Sequence, residues 1–137
     1  MVQKLAWVFG IVFVVVGVLG FVPGITSNNM LLGIFEVDVM HNIVHLLSGI
    51  AAIGVAMGSG VYARLYFKVF GVVYALVAVF GLAMGGSVLG MMMNMSDHLL
   101  HVAIAAAALW IGFGMKESSS APMPAMTAAP SSSGMSM

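Results

Sequence analysis

Residues 5–22 read Leu5-Ala-Trp-Val-Phe-Gly-Ile-Val-Phe-Val-Val-Val-Gly-Val-Leu-Gly-Phe-Val22, a run of 18 residues without a charge. A helix needs about 20 apolar residues, within a range of about 17–25, to cross a hydrocarbon core about 30 Å thick. The run is longer than the apolar part of a typical secretory signal, and no Ala-x-Ala cleavage pattern follows it. We therefore interpret it as a retained first membrane helix that ends before Pro23-Gly24.

The composition extends this interpretation to the whole chain. Of its 137 residues 62% are hydrophobic and 6% are charged, with a mean hydropathy of +1.16, whereas soluble domains carry roughly a quarter charged residues. The absence of cysteine excludes disulfides, thiolate metal sites and Cys-ligated iron–sulfur clusters. The net charge is zero and there is no basic run, so nothing indicates nucleic-acid binding. The sequence contains no hydrolase or phosphate-binding motif, so it offers no candidate catalytic residues. Whether the protein is an enzyme stays open.

Three further apolar segments, 40–57, 65–84 and 99–115, are long enough to span a bilayer. We predict an all-α fold, an integral membrane four-helix bundle over residues 1–116, with the lipid bilayer as its partner. Residues 117–137 are rich in Ser, Ala, Pro and Met and show no apolar periodicity. Their composition predicts a disordered tail.

The charges predict an orientation. In a four-helix topology all the cations fall at one end: Lys4, Arg64, Lys68 and Lys116. The acids fall at the other end, apart from Glu117 beside Lys116: Glu36, Asp38 and Asp97. The positive-inside rule makes the cationic end cytoplasmic. We expect a multi-pass protein of the bacterial inner (plasma) membrane with both termini in the cytoplasm.

The chain also suggests an internal repeat. The segment 9–20 aligns with 70–81, matching Phe9-Gly10 with Phe70-Gly71 and Phe13 with Tyr74. With a shorter second loop, His45 aligns with His101 and His41 with Asp97. Two helical hairpins in the same orientation would be related by a pseudo-axis along the membrane normal. The alternative is a chance similarity between two Gly/Val-rich helices.

Small residues recur one helical turn apart and allow close helix approach. The pairs are Gly20/Gly24, Gly54/Gly58, Gly71/Ala75 and Gly81/Gly85. They fit a compact bundle and equally a homo-oligomer through small-residue helix faces.

The four histidines form two short clusters at the outer ends of the second and fourth helices. One face of the second helix carries a polar stripe at three- and four-residue steps: Asp38, His41, His45 and Ser48. The fourth helix opens with His98 and His101. We expect Asp38 to be the N-cap of the second helix, and Ser96 or Asp97 that of the fourth.

This grouping makes a metal site the first hypothesis, since ionisable groups in membrane helices indicate function by default. Helix N-termini and burial both favour neutral imidazole, which is the form that binds metal. The candidate residues for copper or zinc are His41, His45, His98 and His101, with the neighbouring acids Asp38 and Asp97. Those acids and Glu36 could hold a ring N–H. The methionines of segment 91–95 add soft thioethers that select Cu(I), although Met is also a common apolar filler.

Two alternatives remain open. His45 and His101 could be the two axial ligands of a haem, or the histidines could only pin helices together through hydrogen bonds. Ring nitrogens of His41, His45 and His101 more than about 8 Å apart would exclude both ligand hypotheses, since metal–nitrogen bonds are about 2 Å.

The segments 12–26 and 32–49, with the Gly-Phe-Val-Pro-Gly turn and the motif His41-Asn-Ile-Val-His45-Leu-Leu, resemble small bacterial membrane proteins catalogued as domain of unknown function 4383. The resemblance covers about residues 5–115 and implies four helices with an Asp-x-x-x-His motif opening the last, here Asp97 and His101. The family usually has Asn-Trp after that Asp, where this chain has His98-Leu99. The resemblance therefore favours His41, His45 and His101 as the core set. It implies no known activity.

Overall fold

Four long helices account for most of the molecule. The computed structural model describes residues 1–115, and in chain order the helices are α1 (Val2–Leu19), α2 (Val39–Met57), α3 (Gly60–Met84) and α4 (Met95–Leu109), the last continuing as a π-helix, Trp110–Gly114. All four are long and apolar enough to cross a membrane. The predicted all-α membrane bundle is confirmed, and the protein is a multi-pass membrane protein. The predicted tail, 117–137, lies outside the described residues.

Each helix begins earlier than the predicted apolar segment, because backbone hydrogen bonding extends to residues that precede the apolar run. α1 and α3 therefore include Lys4 and Arg64. The Gln3 amide donates to the Gly58 carbonyl, and the Arg64 guanidinium donates to the Met115 carbonyl. These bonds draw the start of α1, the α2–α3 connection and the end of the π-helix together at one end of the bundle.

Two small antiparallel sheets cover the opposite end, which we call the hairpin end. The first contains β1 (Thr26–Ser27), β2 (Met30–Leu31) and β3 (Phe35–Glu36), and the second contains β4 (Ser87–Val88) and β5 (Met91–Met92). The sequence predicted only loops here, because strands of two residues are too short for apolar alternation to be recognised.

The turns of these sheets did carry a signal. Asn28 and Asn29 both have positive φ between β1 and β2, as do Leu89 and Gly90 between β4 and β5. Two central residues with positive φ form the type I′ turn that suits two-residue hairpins. Adjacent Asn residues, and a Gly in the second position, are typical of this turn.

The helices pack as two units. α1 lies along α2 and α3 along α4, while contacts between these pairs are fewer. We call residues 2–57 the first unit and residues 60–114 the second unit. A Cβ on Gly10 would collide with Ile53, and a Cβ on Gly71 would collide with Leu109. Gly10 and Gly71 are corresponding positions of the predicted repeat, so the two helices of each unit pack together at an equivalent glycine.

A second pair of glycines follows the same rule nearer the hairpin end. Gly20 lies directly beneath the side chain of Asn42, and Gly81 lies directly beneath the ring of His98. Chance similarity between apolar helices would not reproduce two matched contacts in register. The structure therefore supports the internal repeat.

Aromatic side chains of α1 and α3 meet where the two units join. Phe9 contacts Phe70 with ring centroids 5.0 Å apart, and Phe13 contacts Tyr74 at 5.9 Å. Each pair joins corresponding positions, which places the pseudo-axis between them. Two grooves flank this core, one of about 290 Å³ between α1 and α4 and one of about 380 Å³ between α2 and α3.

The predicted small-residue pairs are used unevenly. Gly20, Gly71 and Gly81 are at close helix contacts, whereas among the described residues nothing lies within 4 Å of a Cβ placed on Gly54. Its partner Gly58 ends α2. Among residues 1–115 this pair makes no close helix contact of the kind seen at Gly71 and Gly81, and a homo-oligomer stays a prediction.

Candidate metal centre

Caps fix where the histidine-bearing helices begin. Asp38 is the N-cap of α2, as predicted, and its carboxylate accepts a hydrogen bond of 2.8 Å from the backbone N–H of His41. The prediction for α4 was wrong, because its N-cap is Asn94. Asn94 accepts from the backbone N–H of Asp97, whose carboxylate accepts in return from the N–H of Asn94. This capping box satisfies two amides at once and starts the helix before Ser96.

The two acids also tie the units together. Asp38 of the first unit accepts from the backbone N–H of Met92 at 2.6 Å, and Asp97 of the second unit accepts from that of Glu36 at 2.9 Å. Met92 and Glu36 are the last residues of β5 and β3. Each unit's acid thus holds the other unit's sheet, which seats both sheets over the helix ends.

Beneath these sheets the structure brings three predicted residues together. One ligand atom from each of His41, His45 and His101 lies within 4.8 Å of the other two. The His41 ring centroid is 5.0 Å from that of His45 and 5.8 Å from that of His101. All three side chains are buried. The spacing is well inside the limit of about 8 Å that metal–nitrogen bonds of about 2 Å impose.

Ring contacts orient two of the histidines. His45 stacks on Phe13 with centroids 4.8 Å apart, and His101 meets the ring of Tyr74 edge-on at 5.3 Å. Phe13 and Tyr74 were not among the predicted site residues. The signal was present, because the repeat aligns Phe13 with Tyr74 and His45 with His101.

The imidazoles of this cluster have an unsatisfied nitrogen each. The Nδ1 atoms of His41, His45 and His101 are buried and have no hydrogen-bond partner among residues 1–115. We expected the acids to hold a ring N–H, but Asp38 and Asp97 accept from backbone amides instead. A buried polar atom without a partner costs about 1–3 kcal/mol, so three in one place call for an explanation.

His98 lies outside the three-histidine cluster. Its ring is buried against Gly81 of α3, and neither ring nitrogen has a hydrogen-bond partner in the described part of the chain. It occupies the position that Asn42 holds in the first unit. This placement agrees with the smaller core set of three histidines. Direct ligation by His98, Asp38 or Asp97 stays a prediction.

Two small cavities flank the cluster, and His41 and His101 line both. The first, about 110 Å³, is also lined by His45, Asp97 and residues of the first sheet. The second, about 130 Å³, is lined on its outer side by Leu89, Met91 and Met93. The three rings therefore converge between two spaces that reach toward the hairpin end.

One comparison with known proteins bears on this architecture. No curated protein and no solved structure gives a significant match to the chain. A family model described as Domain of unknown function (DUF4383) matches residues 3–114, which include all four helices and both histidine clusters. The chain belongs to this family.

Proposed function

We propose that this protein binds a single copper or zinc ion through His41, His45 and His101 in the bacterial plasma membrane. The observation that carries the proposal is the convergence of three buried imidazoles within 4.8 Å, each with an unsatisfied Nδ1. Tetrahedral Zn–N bonds of about 2.0–2.1 Å would place the nitrogens about 3.3 Å apart. Small side-chain rotations would close that difference.

The size of the site favours one ion over a haem. The cavities that His101 lines measure about 110 and 130 Å³, whereas pockets for drug-sized organic ligands are typically about 300–1,000 Å³. The larger groove of about 290 Å³ is lined by His45 without His101. His41 also lies against both proposed axial ligands, with its ring 5.0 Å from His45 and 5.8 Å from His101. A macrocycle would have to displace it.

The hydrogen bonding argues against a purely structural role. A histidine that pins two helices does so by donating or accepting a hydrogen bond across the interface. Within the residues that the structure describes, the Nδ1 atoms of all three histidines lack such a partner. Metal ligation would compensate the cost of burying them.

The proposed location is the extracytoplasmic face. The described cations Lys4, Arg64 and Lys68 lie at the end opposite the hairpins, and the positive-inside rule would put that end in the cytoplasm. The chain has no cysteine, so Ile34→Cys, an exposed position beside β3, is a clean probe. We expect a membrane-impermeant maleimide to label it in intact spheroplasts, whereas Met57→Cys should require lysis.

The test of metal binding is elemental analysis of detergent-purified protein after loading with copper or zinc and desalting. We expect about one ion per chain, its loss in His45→Ala, and its retention in His98→Asn. The control variant carries at position 98 the residue found at the corresponding position of the first unit, Asn42. Absence of stoichiometric metal in the wild type, or full retention in His45→Ala, would contradict the proposal. A Soret band lost in His45→Ala would favour the haem alternative.

A further inference from the structure

The methionine run 91–95 separates in the structure into two buried and two exposed side chains. Met91 is 6% exposed and Met93 is 2% exposed, whereas Met92 is 46% and Met95 62% exposed. The split follows from β5 and the cap of α4, which turn alternate residues toward the bundle. Only two of the four thioethers are therefore directed at the interior.

Met91 and Met93 line the cavity of about 130 Å³ that His41 and His101 also line. His45 lines the cavity on the other side. The methionines thus approach the histidine cluster from the side that the third imidazole does not cover. A three-histidine site needs one more ligand to become tetrahedral.

The internal repeat shows that packing alone does not require methionine here. The corresponding positions of the first unit are Phe35 and Val37, and they line the corresponding cavity of about 110 Å³. The same fold accepts an aromatic and a β-branched side chain there. The thioethers are therefore one difference between two cavities that His41 and His101 both line.

The charge of the candidate ligands also favours a monovalent ion. The acids nearest the cluster, Asp38 and Asp97, accept from backbone amides, and imidazoles and thioethers are neutral ligands. The Born cost of burying an ion in a low-dielectric interior rises with the square of its charge. A site made of neutral imidazole and thioether ligands therefore buries a monovalent ion at a lower energetic cost than a divalent ion. Thioether sulfur also selects Cu(I) over zinc.

We propose, on the basis of the proposed metal site, that its ion is Cu(I) and that one thioether of the buried pair Met91 and Met93 is the fourth ligand that completes its coordination. No oxidation or reduction is involved in binding, because the ion enters and stays as Cu(I). Met92 and Met95 contribute nothing to it.

The test is competition with a chromophoric Cu(I) chelator under anaerobic, reducing conditions, with Zn(II) affinity measured in parallel. We expect the wild-type protein to bind Cu(I) at least 100-fold more tightly than Zn(II). The double variant Met91→Leu/Met93→Leu should lose at least tenfold in Cu(I) affinity with Zn(II) affinity unchanged. The matched control Met92→Leu/Met95→Leu should keep the wild-type affinity for both metals.

Leucine nearly conserves the volume of methionine, so the buried pair should still fold. If the double variant does not fold, the two single variants can be measured in its place. X-ray absorption of the Cu(I)-loaded wild type then tests sulfur ligation directly, and we expect Cu–S scattering. Equal loss of Cu(I) and Zn(II) affinity in the buried variant, tighter binding of Zn(II), or a copper spectrum without sulfur would overturn the inference. Failure of the wild type to bind either metal would instead overturn the proposed function.

Discussion

The two units of the molecule share a backbone plan and differ in chemistry. Gly10 and Gly71 close equivalent helix contacts, and Asp38 and Asn94 cap equivalent helices. Three residues after the cap, however, the first unit has His41 and the second has Asp97. The contacts that build each unit are thus duplicated, whereas the ligands are divided two to one.

This division explains why the cluster sits between the units. α2 alone supplies two imidazoles one turn apart, and α4 supplies the third. In place of a fourth imidazole, Asp97 binds the amide of Glu36 and holds the sheet of the first unit. The asymmetry therefore separates the residues that fasten the units from those that could bind an ion.

The largest expected effect concerns the third ligand. If one ion is shared, His101→Ala should lower metal affinity as strongly as His41→Ala, and by more than the 10–100-fold typical of losing an outer-shell partner. Chelator competition on both variants measures this. Wild-type affinity in His101→Ala would show that α2 binds the ion alone and that the comparison between the units has no bearing on the site.

The glycine contacts come next. Gly20→Ala and Gly81→Ala each place a methyl group into a neighbouring side chain, Asn42 or His98. Because overpacking costs typically 1–3 kcal/mol, we expect both variants to lose about that much stability. Gly54→Ala, which meets open space, should gain up to about 1 kcal/mol.

Thermal or denaturant unfolding in one detergent compares these three variants directly. Similar losses at Gly20 and Gly81 would support the equivalence of the two units. A loss of stability in only one of the two variants would show that the repeat is a similarity of sequence without equivalent packing.

The reciprocal carboxylate bonds are the third test. Asp38→Ala and Asp97→Ala each leave two backbone amides without their acceptor. With hydrogen bonds to charged groups contributing about 1.5–3 kcal/mol, we expect comparable losses of about 2 kcal/mol. Glu36→Gln, which removes an acid but leaves the backbone N–H in place, is the control and should unfold like the wild type.

Hydrogen exchange would locate the effect. Asp97→Ala should expose the sheet of the first unit, and Asp38→Ala that of the second unit. Exposure of each variant's own sheet instead would contradict the reciprocal arrangement.

The smallest expected effect is at the hairpin tips. Leu32 and Leu89 both have φ of +54°, which is costly for a side chain of this kind, and both are exposed. Asn tolerates this conformation better. Leu89→Asn should therefore raise stability by up to about 1 kcal/mol, measured by thermal unfolding. Lower stability would show that the leucine makes contacts that the tip needs.

The sequence by itself determined the membrane class, the four helices and the residues of the candidate site. Four apolar runs of sufficient length, which carry Lys68 as their single formal charge, form spanning helices because every backbone polar group in lipid must be bonded within the chain. The spacing predicted the set of four histidines, and the resemblance favoured His41, His45 and His101 as its core. The Asp38 cap was predictable because cap and helix are local in sequence.

Tertiary structure alone decided which groups converge. The distance between α2 and α4 at His41 and His101 depends on how the units pack, which no local pattern encodes. The exchange of carboxylate bonds between Asp38 and Asp97 also joins residues far apart in the chain. The burial of Met91 and Met93 rather than their neighbours depends on a two-residue strand that only its partner strand defines. Spacing along a helix selects which residues share a face, and packing between helices decides what that face meets.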